Sequence, residues 1–116
     1  MQKIYYLATC DTCKKIIKDL SLPTSFEYQE IKKEEITVKQ IEALRELSGS
    51  YESLFSRRAK LYKERGLKNE TLTEEDYKGF LLEHYTFLKR PVIVNNDQIF
   101  IGNSKKVIAE AKASLH

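Results

Sequence analysis

The sequence predicts an α/β fold: a mixed four-stranded sheet with flanking helices and a helical insertion between a βαβ half and a ββα half. Three observations carry this. Apolar and alternating runs at 4–9 and 25–31 bracket a short helical pattern. The stretch from 37 to 87 repeats apolar residues at helical spacing, with no strand signal. Two short apolar runs then flank Asn95-Asn96-Asp97 and precede a last helical pattern.

Ile4-Tyr5-Tyr6-Leu7-Ala8-Thr9 reads as a buried strand and Lys14–Leu20 as the helix that follows. Ser21-Leu22-Pro23-Thr24 is a turn. Ser25–Ile31 alternates aromatic and polar residues, the period of a strand, so the first half is a βαβ unit with parallel strands. Thr37 caps a helix whose inner positions are Val38, Ile41, Leu44 and Leu47 and which stops near Ser48-Gly49. Short helices are expected at Tyr51–Phe55 and at Lys60–Lys63, the latter ending by Gly66. Thr73-Glu74-Glu75-Asp76 supplies a cap and an acidic first turn for a helix carrying Tyr77, Phe80, Leu81 and, one turn on, His84 or Tyr85 inward. Pro91–Val94 and Gln98–Ile101 form a hairpin, and Ser104 caps a final helix that turns Val107, Ile108, Ala111 and Leu115 to the core. This is the order of a thioredoxin-like fold. We read residues 1–116 as one domain with its insertion at about 37–87.

At 116 residues the chain suits one moderate core, and 41% hydrophobic with 32% charged residues is a globular balance. The net charge of +3 comes from lysines interspersed with glutamates, so it gives no argument for direct nucleic-acid binding. No apolar stretch is long enough to span a bilayer and no signal peptide is visible, so a cytoplasmic protein without membrane contact is expected. There, a Cys-x-x-Cys pair reads as catalytic, redox-sensing or metal-binding sooner than as a structural bridge.

That pair, Cys10-Asp11-Thr12-Cys13, holds the only cysteines in the chain and sits where the first strand gives way to a helix. Unbonded N–H groups and the helix dipole stabilise an anion there, which makes Cys10 the expected nucleophile. Cys13, one helical turn on, either resolves the covalent intermediate by thiol–disulfide exchange or packs inward and takes no part. Lys14 follows at once, and a cation near Cys10 would favour its thiolate further. Arg90 precedes Pro91, which holds its backbone extended and suits a guanidinium that grips an oxyanion with two parallel hydrogen bonds. Arg58, beside Arg57 and Lys60, either binds an anion or belongs to the wet face of a helix. His84 and His116 lack the spacing of a ligand pair, so no metal is expected.

Cys10 after the first strand, the helical insertion, Phe55-Ser56-Arg57-Arg58, Leu88-Lys89-Arg90-Pro91-Val92-Ile93-Val94 and Ile101-Gly102 together resemble the glutaredoxin-linked arsenate reductase family. That family also includes Spx-type regulators and short relatives, within the thioredoxin-like superfamily. The resemblance implies a cysteine at position 10 that attacks an oxyanion and arginines at 90 and 58 that hold it. It also implies Pro91 in a cis peptide facing the cysteine loop, and turnover completed by glutathione with glutaredoxin or thioredoxin. It implies no bound cofactor; glutathione enters as co-substrate. The chain departs from the family at two places. The arginine expected after the last strand is replaced by Gly102-Asn103-Ser104, and Lys105 or Lys106 is a poor substitute. The second cysteine is a feature of the Spx-type regulators, where the pair is a disulfide switch and the partner is the RNA polymerase alpha subunit. The expected substrate is therefore a small oxyanion or a thiol/disulfide, with a redox-sensing regulator as the alternative.

Overall fold

The computed structural model describes residues 1–115. In chain order the elements are β1 (Gln2–Tyr6), α1 (Asp11–Leu20), β2 (Glu27–Glu30), α2 (Val38–Ser48), α3 (Lys60–Glu64), α4 (Glu74–Glu83), β3 (Val92–Asn95), β4 (Gln98–Ile101) and α5 (Lys105–Leu115), with 3₁₀ turns at Glu52–Leu54, Leu67–Asn69 and Tyr85–Phe87. The chain gathers into two compact units, Met1–Glu35 with Arg90–His116, and Ile36–Lys89.

In the first unit the strands lie in the order β2-β1-β3-β4. β1 and β2 are parallel, joined through α1. β3 is antiparallel to β1, with Tyr5 opposite Val92, and antiparallel to β4, with Val92 opposite Ile101. Asn96 and Asp97 close this hairpin, and Asn96 takes the positive φ (59°) that asparagine tolerates better than most residues. One face of the sheet presents Ile4, Ile93 and Phe100 to Ile16 and Leu20 of α1, to Phe26 and to Ala111 of α5. Ile17, Val107, Ile108 and Leu115 pack at the margin. Burial of each large aliphatic here is worth roughly 1.5–3 kcal/mol. Two buried polar side chains are both bonded. Gln29 Nε2 donates to the Glu34 carbonyl at 3.1 Å. Asn95 accepts from Gln2 Nε2 at 3.0 Å and donates to Ser114 O at 3.2 Å.

In the second unit, α2 and α4 each start on a reciprocal cap. Thr37 Oγ1 accepts from the Gln40 N–H while Gln40 Oε1 accepts from the Thr37 N–H, and Thr73 and Asp76 do the same. Gly49 ends α2 at φ 92°, a conformation that glycine takes without penalty, and donates to the Arg45 carbonyl at 2.8 Å. Glu74 accepts the N–H groups of Tyr51 and Glu52, fastening the first 3₁₀ turn to α4. Phe55 is the centre of this core: it stacks on Phe87 at 5.3 Å between centroids and meets Tyr62 and Tyr77 edge-on. A bridge between Phe55 and Leu88, with Ser56 N–H to the Phe87 carbonyl (2.7 Å) and Lys89 N–H to the Leu54 carbonyl (2.9 Å), ties the unit's last residues back to its middle.

Several boundaries differ from the sequence reading. β1 lies at Gln2–Tyr6, not 4–9, because Leu7 is buried in the turn after the strand and so prolongs the apolar run without pairing. α1 begins at Asp11, three residues early, and β2 is trimmed to Glu27–Glu30. Val38 is half exposed, so the inner face of α2 rests on Ile41 and Leu44. His84 leaves α4 for an extended conformation, and its Nδ1 accepts the Thr86 N–H at 3.1 Å; the polar ring competes better as a cap than as core.

Candidate active site

After Tyr6 the chain turns through Leu7–Thr9, closed by the Cys10 N–H donating to the Leu7 carbonyl at 3.1 Å. Cys10 is the N-cap of α1 (φ −92°, ψ 109°), and its carbonyl accepts the first helical bond, from Lys14 N–H at 3.2 Å. Cysteine is a poor capping acceptor, and the Cys10 side chain closes no capping hydrogen bond. The first-turn N–H groups are thereby left facing sulfur, where they favour the anion.

Both cysteines are free thiols; Cys10 is half-buried and Cys13 fully buried. Partial burial pushes the Cys10 thiol up, but this is outweighed by the Cys13 and Thr12 N–H groups, the Cys13 thiol and the Arg90 charge, so the net pKa falls below the ordinary thiol value. Cys13 moves the other way, to about 11, through burial and the neighbouring Cys10 sulfur, against the Leu7 N–H and Arg90, which favour its anion.

Arg90 is placed by the sheet register. Tyr5 is opposite Val92; carried two residues further along the antiparallel pair, this sets Arg90 level with Leu7, at the mouth of the cysteine loop. The Arg90–Pro91 peptide is cis, and Pro91 is buried. Lys14 is exposed on the first turn of α1. Arg58 lies in the second unit, exposed in the turn before α3 and in no ion pair among the described residues. Its neighbour Arg57 is committed locally, donating to Glu52 at 2.6 Å and to the Tyr77 hydroxyl at 3.1 Å. Asn103, Ser104, Lys105 and Lys106 are exposed at the start of α5, where the Ser104 hydroxyl accepts the Val107 N–H. Among the described residues no group of three or more His, Cys, Asp or Glu side chains is placed to hold a metal; His116 lies outside them.

Sequence reasoning missed two contributors. The Leu7 amide, which lies before the helix, acts through the backbone, which no residue type announces. Gly102, whose N–H donates to the Pro91 carbonyl at 2.9 Å, was legible only as a glycine after a strand.

A β2-β1-β3-β4 sheet with a cysteine at the head of the first helix and a proline corner beside it defines a thioredoxin-like α/β protein. The chain belongs to the ArsC family, whose model matches residues 5–111. Among solved structures it is similar to a Staphylococcus aureus COL protein determined by solution NMR (29% identity, TM-score 0.76, 95% of this chain and 97% of that one). It is also similar to an ArsC family related protein from Bacteroides fragilis (23%, TM-score 0.77, 95% and 96%). An arsenate reductase from Vibrio cholerae shares the fold as well (22%, TM-score 0.73, 95% and 98%). No curated protein matches the sequence. No helix among the described residues is long and apolar enough to cross a membrane.

Proposed function

We propose that this chain is a thiol oxidoreductase in which Cys10 attacks a small oxyanion or a disulfide. The observation that carries the reading is the Cys10 sulfur at the head of α1, favoured as an anion by two backbone N–H groups, the Cys13 thiol and Arg90. With arsenate, the thiolate forms a sulfur–arsenic bond and an oxygen leaves as water after taking up protons. The thiolate of glutathione then bonds to the Cys10 sulfur, the sulfur–arsenic electron pair stays with arsenic, and arsenic(V) leaves as arsenic(III). Glutaredoxin or thioredoxin reduces the mixed disulfide that remains. With a disulfide substrate, Cys10 displaces one thiolate; Cys13 then attacks the Cys10 sulfur, releases the second, and leaves a Cys10–Cys13 disulfide holding the two oxidised sulfurs. Arg90 is the proposed anion holder, with Lys14 as an auxiliary cation; an anion-binding role for Arg58 rests on the family resemblance alone.

The test supplies reduced protein with arsenate, glutathione and glutaredoxin and follows arsenite. Turnover lost in Cys10→Ser and kept in Cys13→Ser supports the single-thiol route. Turnover lost in both, with a disulfide substrate reduced, supports the two-thiol route.

A second reading, a redox-sensing regulator, is favoured by the immediate neighbourhood of the two thiols. It predicts no turnover on either substrate, reversible oxidation of the pair, and redox-dependent binding of purified RNA polymerase alpha subunit.

A further inference from the structure

We infer that Gly102 is a positioning residue for Arg90: it holds the corner at Pro91 so that the guanidinium stays over the cysteine loop. This rests on the proposed role of Arg90 at Cys10.

The paired part of the β3–β4 hairpin ends at Val92 and Ile101. Beyond it the chain bends at Gly102, at φ 90°, and its N–H donates to the Pro91 carbonyl at 2.9 Å. This bond extends the hairpin past its last paired residues, onto the carbonyl of Pro91, the residue that follows Arg90. Pro91 offers no N–H of its own, so its carbonyl is the group through which this corner can be held to β4. The φ that Gly102 takes, with its N–H on the Pro91 carbonyl, is one that L side chains rarely adopt. Space is not the reason for glycine, since a Cβ built there meets no atom within 4 Å. A side chain at 102 therefore acts through the backbone alone: with β4 paired and α5 packed in the core, relaxing φ at 102 requires a compensating turn of ψ at Ile101, which rotates the peptide between them, takes the N–H off the carbonyl and releases the corner. The cost falls on Arg90, the next residue back, and through it on the charge that favours the Cys10 thiolate.

The experiment is the pH profile of iodoacetamide alkylation at Cys10, followed by mass spectrometry on reduced protein. It compares wild type, Arg90→Gln, Gly102→Ala and the double variant, with thermal melts alongside. Arg90→Gln is expected to move the profile to higher pH and to slow alkylation at pH 7 by about threefold or more. Gly102→Ala should reproduce that shift, and the double variant should add nothing to Arg90→Gln. Should Gly102→Ala fail to fold, Gly102→Asn takes its place with a smaller shift in the same direction, since asparagine accepts positive φ best among the L residues. A wild-type profile in the folded Gly102 variant, with only its melting point lowered, overturns the inference; so does an additive double variant. A wild-type profile in Arg90→Gln overturns the reading of Arg90 itself, and the inference with it.

Discussion

The thiol of Cys13 faces the sulfur of Cys10 from the buried side of α1, and the hydrogen shared between them belongs to Cys13. Burial and the neighbouring sulfur raise Cys13 to about 11, while Cys10 lies below the ordinary thiol value. The first proton to leave the pair is therefore that of the outer sulfur, which is the one a substrate can reach. The inner sulfur serves as a donor until its neighbour has been consumed.

Removing that donor weakens the thiolate. Cys13→Ala is expected to slow alkylation of Cys10 at pH 7 by about threefold to tenfold, whereas Cys13→Ser, which keeps an O–H in place, changes it less. The pH profiles of the two variants decide the matter; coincident profiles would mean that Cys13 contributes nothing to Cys10.

Alkali destabilises the fold through groups that resist ionisation. Tyr5 is 1% exposed and is raised from 10.0 to about 12 by burial, then by Glu27 and Glu34. A folded-state value above the unfolded one contributes stability that is complete below pH 10 and lost as pH rises to 12. For Tyr5 this amounts to roughly 3 kcal/mol. Cys13 acts with the same sign from pH 9 to about 11. Cys10, being depressed, acts in reverse: its contribution is present in alkali and lost as pH falls through its lowered value. Urea unfolding at pH 8 and pH 11 should show a smaller alkaline loss in Tyr5→Phe than in wild type.

The helical unit depends on its caps. Thr37→Ala and Thr73→Ala each remove an oxygen that accepts an otherwise unbonded N–H, and each should cost about 1 kcal/mol. Serine at either position should restore most of that loss in the denaturation midpoint.

Phe55 is fully buried and meets four aromatic rings. Phe55→Ala should destabilise by about 3–5 kcal/mol, and Phe55→Leu by clearly less, because leucine refills part of the cavity. Equal losses would show that the site collapses around either residue.

Much of this was legible because local signals and tertiary packing agree. Thr37 and Thr73 announced their helices, and the hairpin at Asn96-Asp97 and the inward face of α5 followed from periodicity alone. What failed was set by the third dimension. Leu7 looks like strand because burial, not pairing, made it apolar. Val38 has the right spacing for an inner face but lies in a first turn left half exposed. His84 looks like one more position on α4 until its ring nitrogen finds the Thr86 amide. At the site, Cys10 and Arg90 were legible as residues, but their relation depends on a register between strands more than eighty positions apart. The first-turn amides follow from the helix start after Cys10, whereas the amide of Leu7 left no mark in the sequence.

That long register has a consequence for biosynthesis. β1 is made long before β3, its antiparallel partner, which starts at Val92. Until β3 is made, β1, α1 and β2 stand without it, and Cys10 without its guanidinium. The sulfur then has the amides of α1 and the Cys13 thiol beside it but not the Arg90 charge, and that share of its acidity arrives only once β3 is made. A chain released before Arg90 would carry the cysteine pair without the cation that completes its surroundings.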